Sequence, residues 1–248
     1  MILFVTVISV LFLKVTTADD LPSYFPKCHI DDPDSCLLRG FQILKPHVSN
    51  GIEEIGLPPL NPLRVPKLKV SQTGPLARYQ FLLENFTITG LDDYHIQEFR
   101  YNPHTMTFYG RIVYDTMSMT SNMDALGQVI SVPIEGKGSV EVTLIGPING
   151  EFEINGNLRN ENGVNYYNTT NIKVNLYIYD GSCRLDDFFN NNIYLTRMIT
   201  NIFNENSKLV VDVLTPAFKE MAKYGIRNLM TELTNRIPYN LLFPRRNY

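Results

Sequence analysis

Three cysteines in 248 residues are too few to build a disulfide scaffold, so this fold has to rest on a hydrophobic core. Basic runs are also missing. With a net charge of -3 and no cluster of Lys or Arg, the chain offers no surface for tracking phosphates, which argues against nucleic acid and acidic lipid as partners. Beyond the first dozen or so residues no apolar run is long enough to cross a bilayer, so no stable membrane insertion is expected. The four histidines, His29, His47, His95 and His104, form no close pair at metal-ligand spacing, and no Cys-x-x-Cys accompanies them. The Gly-x-Ser-x-Gly elbow of the commonest secreted esterases does not occur. Asp31-Asp32, Asp92-Asp93 and Asp186-Asp187 read as solvated acids at turns. Gly136-Lys137-Gly138-Ser139 lacks the upstream glycine of a phosphate loop and runs into a strand pattern, so it reads as a hairpin turn. No catalytic residue, metal or cofactor is expected.

What is present begins with an export signal. Met1 to Leu13 are nearly all apolar, and Thr16-Thr17-Ala18 supplies small residues for cleavage. Removal of 1–18 leaves about 230 residues, enough to bury a substantial core, and 19–248 is expected to form a single secreted, extracellular domain. Two sequons, Asn85-Phe86-Thr87 and Asn168-Thr169-Thr170, are glycosylation candidates in such a chain. Asn168 lies in the polar stretch Asn160–Asn171, which reads as a surface loop, whereas Asn85 sits inside a strand pattern.

Asp32 followed by Pro33 reads as an N-cap with proline at the first helical position. Leu37, Phe41, Leu44 and Val48 then fall at i, i+4, i+7 and i+11, one apolar stripe of a helix. Pro46 kinks it or ends its regular part, and Asn50-Gly51 stops it. From Leu68 to Tyr179 the period is two. Tyr79, Phe81 and Leu83 alternate with polar neighbours, and Phe86 and Ile88 resume after a phase slip at Glu84-Asn85, the mark of a bulge. Val140, Val142 and Leu144 alternate in the same way, and glycines from Gly90 to Gly163 punctuate the region. Strands joined this closely are antiparallel. From Ser207 to Arg236 the pattern is helical and apolar on several sides, as in a buried helix, with Pro216 inside it. Thirty residues make a helix about 45 Å long.

Cys28 and Cys36 are the best disulfide candidates because they flank one short loop, while a bridge from either to Cys183 stays open. Cys183 follows Asp180-Gly181-Ser182, read as a turn, and is otherwise a buried small hydrophobe or a free thiol.

Four blocks in order resemble the insect takeout/juvenile-hormone-binding family. They are Cys28–Leu68 with its cysteine pair, helix and Pro-rich exit; Val132-Pro133-Ile134-Glu135-Gly136-Lys137-Gly138; Ile202-Phe203-Asn204-Glu205-Asn206; and Arg236-Ile237-Pro238-Tyr239-Asn240-Leu241-Leu242-Phe243-Pro244. The resemblance implies an α+β fold in which a highly curved antiparallel sheet wraps a long C-terminal helix and encloses an apolar tunnel. It implies a carrier of a terpenoid, fatty or similar lipophilic molecule, not an enzyme, and a monomer. Its tunnel lining would include Leu37, Phe41 and Leu44 from the first helix, and Val210, Val213, Leu214, Ala217 and Met221 from the last. The family's hormone-binding branch has a second disulfide, for which Cys183 has no partner here, and this favours the takeout branch. Two rival readings remain: an interaction protein with a structural lipid, and a lipid-ester hydrolase.

Overall fold

The computed structural model describes residues 21–130 and 132–244, so the expected signal segment 1–18 lies outside the described residues. Helix α1 (Asp34–Val48) leads through a single 3-10 turn into six antiparallel strands: β1 Leu63–Thr73, β2 Ala77–Thr89, β3 His95–Asn102, β4 Thr107–Val129, β5 Val132–Glu161 and β6 Val164–Asp186. Then come α2 (Phe188–Asn191), a single turn in which Phe189 and Asn190 take left-handed φ/ψ, α3 (Ile193–Glu205), α4 (Ser207–Arg236) and one-turn α5 (Tyr239–Leu242). The strands make one sheet in the order β1-β2-β4-β5-β6, with β3 added beside the first part of β4.

Strand length forces the shape. A straight β5 of 30 residues would reach about 100 Å at about 3.4 Å per residue. Helix α4, also 30 residues, is about 45 Å long. A sheet so much longer than the helix it covers has to curl around it. The pairing slips that permit this lie between Glu84 and Thr87, between Tyr114 and Thr116, and between Ile145 and Ile148. The last two are neighbours on β4 and β5, so the sheet bends on a common line.

That bend divides the interior. On one side, Leu83, Met123, Leu144 and Leu185 of the sheet face Val210 and Ala217 in the first half of α4. On the other, Tyr101, Phe108, Ile154 and Tyr167 pack with Phe243 and with Ala222, Ile226 and Met230 in the second half. Aromatic rings fill this second end. Tyr101 stacks on Phe108 at 4.3 Å and on Phe243 at 4.5 Å, and its hydroxyl lies 2.9 Å from that of Tyr239.

Several local expectations need correction. Helix α1 starts at Asp34, without a side-chain cap. The Asp34 carboxylate instead accepts the Tyr101 backbone N–H at 2.8 Å, which ties the helix start to β3. Pro46 sits in the last turn of α1, and Gly51 (φ 81°) ends it as expected. Strand pairing begins at Leu63, earlier than the period-two reading. Most glycines sit inside long strands instead of punctuating short ones, because rings lie on them: Phe152 on Gly110, Phe188 on Gly138 and Tyr167 on Gly156 occupy the space a Cβ would need. For that reason Gly136–Ser139 is mid-strand and no hairpin turn, with Lys137 paired to Asp124 at 2.8 Å. Asn160–Asn171 is likewise no loop. It is the end of the β5–β6 hairpin, closed by Asn162 and Gly163 with positive φ, the signature of a two-residue turn that matches strand twist. Asp180-Gly181-Ser182 belongs to β6.

Helix α3 was unforeseen. Asn192 caps it, its side chain accepting from the Leu195 N–H at 3.1 Å. Helix α4 runs through Pro216, which leaves the Asp212 carbonyl without its helical N–H. The neighbouring Thr215 hydroxyl donates to the Val211 carbonyl at 2.8 Å.

Candidate functional site

Where rings fill one end of the interior, the other end packs around a cavity. A cavity of about 130 Å³ lies between the concave face of the sheet and the first half of α4. Strand alternation supplies its floor: Phe81, Leu83 and, after the bulge, Phe86 from β2, and Val140, Val142 and Leu144 from β5. Met119 and Met123 come from β4. Because these residues keep one parity within each strand segment, their side chains share a face.

The roof is helical. Val210, Leu214, Ala217, Phe218 and Met221 line the cavity at i, i+4, i+7, i+8 and i+11, and Val211 reaches it from the flank. Of the helix residues expected to line a tunnel, Val210, Leu214, Ala217 and Met221 meet this space. Val213 is buried but about 100° round the helix from Leu214, outside the lining. Leu37, Phe41 and Leu44 are also elsewhere. Phe41 packs on Phe99 at 4.6 Å and edge-on to Tyr94 at 6.3 Å, Leu37 joins the filled aromatic end, and Leu44 packs with Ile52, Ile55 and Ile237. The α1 stripe covers sheet and chain ends, not empty space.

Two fastenings hold α1 there. Cys28 and Cys36 form a disulfide, while Cys183 is a free thiol. The Cys28 N–H donates to the Leu242 carbonyl at 3.2 Å, joining the bridge to the C-terminal turn. At the other end of α1, Lys45 meets Asp93 at 3.3 Å, and Ser49 donates to Asp92 at 2.6 Å. Burial works against ionisation of Asp92, but the hydrogen bonds from Ser49 and Asn61 outweigh it and hold the carboxyl below its ordinary range. This acid pair is a structural tie.

Four of the cavity's polar residues, Ser182, Cys183, Asn204 and Ser207, gather where β6 passes the α3–α4 junction. Strand β6 is a sheet edge, and edge strands carry unpaired backbone groups. Asn204 satisfies two of them: its Oδ1 accepts the Cys183 N–H at 2.8 Å and its Nδ2 donates to the Cys183 carbonyl at 2.9 Å. Asn204 and Ser182 are exposed and both border the cavity, so it opens to solvent here. Burial pushes the Cys183 thiol up to about 11, so it is neutral at physiological pH. The Ser207 hydroxyl and the Gly181 N–H hold Asp180, beside the mouth, below the usual carboxylate range. Deeper in, the Ser121 hydroxyl sits 2.9 Å from the Glu84 carbonyl and 2.8 Å from that of Asn122. Among the described residues no group of three His, Cys, Asp or Glu could hold a metal ion.

The sequence reading missed Phe203, Asn204, Ser207, Val211 and Phe218 as lining residues, along with all those of the strands. The strand residues were accessible through parity, and Phe218 through its i, i+4 relation to Leu214. Asn204 stood in a block that resembles the family, but nothing local signalled this role, which depends on a strand edge about twenty residues upstream.

The family model described as haemolymph juvenile hormone binding protein matches residues 2–244. The chain belongs to this family. It is 22% identical over 245 residues to the circadian clock-controlled protein daywake of Drosophila melanogaster, covering 94% of this chain and 92% of daywake. In fold it is similar to the crystal structure of Takeout 1 from Epiphyas postvittana, with a TM-score of 0.72 at 18% identity over 88% of this chain and 99% of that one. The curled antiparallel sheet around a long C-terminal helix is thus the takeout fold, an α+β architecture.

Proposed function

We propose that this family member is an exported, monomeric carrier that shelters a lipophilic small molecule in the cavity under α4, with 19–248 as one ligand-binding unit. The observation that carries the reading is a cavity of about 130 Å³ walled by apolar side chains under α4, while the other end of the core is filled by rings. Burial drives binding, since about 25 cal/mol is gained per Å² of apolar surface removed from water. The space is close to the roughly 150 Å³ of an engineered cavity that accepts benzene. A longer ligand needs the wall to yield, and Met119, Met123 and Met221 are the side chains best able to rearrange. The family's description supports a lipophilic ligand, and the unpaired Cys183 supports the takeout side of the family.

The exported form is expected to carry its glycan on Asn85 sooner than on Asn168. Asn85 is exposed at the bulge with φ 54°, whereas the Asn168 amide donates to Asn157 at 3.0 Å inside a strand pair. Loss of glycan mass from a secreted Asn85→Gln variant checks this.

Titration with the neutral fluorophore N-phenylnaphthylamine, followed by displacement with terpenoids, tests the carrier reading. Saturable, stoichiometric and displaceable binding is expected. Linear, non-displaceable binding would assign the dye to surface patches and end the reading.

A further inference from the structure

The cavity wall discriminates by charge. Among the described residues that line it there is no Asp, Glu, Lys, Arg or His. The polar groups it does have are neutral or already engaged. Ser121 is hydrogen-bonded to backbone carbonyls, Cys183 is a protonated thiol, and Thr120 is an exposed residue that borders the space from the outer side of β4.

The mouth follows the same rule. Asn204 gives one N–H to the Cys183 carbonyl and takes one from its N–H, which leaves the amide a second N–H and a second lone pair. Ser207 spends its proton on Asp180 and keeps lone pairs. The charged residues that flank the mouth are Asp180 and Arg184 on β6, Glu205 at the end of α3 and Lys208 on α4. Arg184 is paired with Glu141 at 2.9 Å and Asp186 at 3.0 Å, and Asp180 is held by Ser207 and attracted by Lys208. A ligand end arriving here meets a neutral donor and a neutral acceptor, flanked by acids and bases that are already matched to one another.

We infer that the site takes uncharged ligands only: a long apolar body under α4 with an alcohol, ketone, aldehyde or ester end at Asn204 and Ser207, ionised fatty acids being rejected. The inference rests on the carrier reading and narrows it. An ionised carboxylate drawn into this wall finds no cation, and a buried, unpaired charge is strongly disfavoured. Held at the mouth instead, it competes with Asp180 for Lys208 and with Glu141 and Asp186 for Arg184, so both cations already have acidic neighbours. An alcohol or ester of the same chain length buries the same apolar surface and loses little, because Asn204 and Ser207 replace the water at its oxygen.

The test compares dodecanol, methyl dodecanoate and dodecanoate at pH 8 as displacers of N-phenylnaphthylamine from the mature chain. The alcohol and ester are expected to displace at concentrations at least tenfold lower than the carboxylate. Equal potency of all three would overturn charge exclusion while leaving the carrier reading intact. Failure of the dye itself to bind saturably would remove the carrier reading and this inference with it. A Met221→Lys variant places an ammonium in the wall and is expected to raise dodecanoate potency at least tenfold relative to dodecanol. If that variant does not fold, shown by its melting curve, the comparison on the unsubstituted chain decides alone.

Discussion

Ala217→Phe separates a ligand cavity from an ordinary core. Ala217 is 5% exposed and lies on the cavity face of α4 between Leu214 and Met221. The substitution adds one phenyl ring, and a space of roughly 150 Å³ is known to accept benzene, so the ring fills most of the 130 Å³ available. Burying a Phe side chain contributes about 1.5–3 kcal/mol. Imperfect fit against Phe86 or Leu144 costs about 1–3 kcal/mol, as overpacking does. The two nearly cancel, so the ligand-free melting temperature should move by no more than about 3 °C for a chain of this size. Affinity for N-phenylnaphthylamine should fall at least tenfold, because ring and dye need the same volume. Ala222→Phe is the matched control. Ala222 lies five residues further on, partly buried against the filled aromatic end, where an added ring meets packed side chains instead of a cavity. It should lose about 1–3 kcal/mol and keep its affinity. Differential scanning fluorimetry and dye titration on both variants give the answer. If Ala217→Phe is strongly destabilised yet binds dye normally, the space under α4 is not where ligand goes.

Other expectations follow from the fastenings. Non-reduced peptide mapping should find Cys28 joined to Cys36 and Cys183 alkylated only slowly, and opening that short loop by substituting both cysteines should cost about 2–3 kcal/mol in chemical denaturation. Because burial raises the Cys183 thiol, the folded chain has less thiolate than free cysteine at any pH below about 11. Its alkylation rate at pH 8 should therefore be far below that of the unfolded chain and rise about tenfold per pH unit, while a rate equal to that of a free thiol would contradict its burial. Asn204→Ala strips the Cys183 backbone of both partners at an exposed strand edge, where water partly replaces them. A loss of about 1 kcal/mol and faster amide exchange at Cys183 are expected, and unchanged exchange would show that the clasp does not hold the edge.

Much of this chain was legible from its own pattern. Helix α4 has the bounds its periodicity indicates, Ser207 to Arg236, and the bulge at Glu84-Asn85 lies where the period-two alternation slips. Both follow from local rules: a buried helix repeats every 3.6 residues, a strand every two, and an inserted residue shifts the phase. Four of the five α4 residues chosen as lining do border the cavity, because one face of a helix stays one face wherever it is packed.

Tertiary structure decided what lies opposite each apolar face. The stripe of α1 and that of α4 look alike in sequence, yet Phe41 meets Phe99 and Tyr94 while Leu214 meets a void. Glycines 110, 138 and 156 looked like turn residues because the rings lying on them come from distant chain positions. The length of β4, β5 and β6 was hidden for the same reason, and so was the role of Asn204 at the edge of β6. Hydrophobic periodicity records which side of an element leaves water. It carries no record of whether that side is then met by another side chain or by a space, since that depends on how residues a hundred positions apart fill a shared volume.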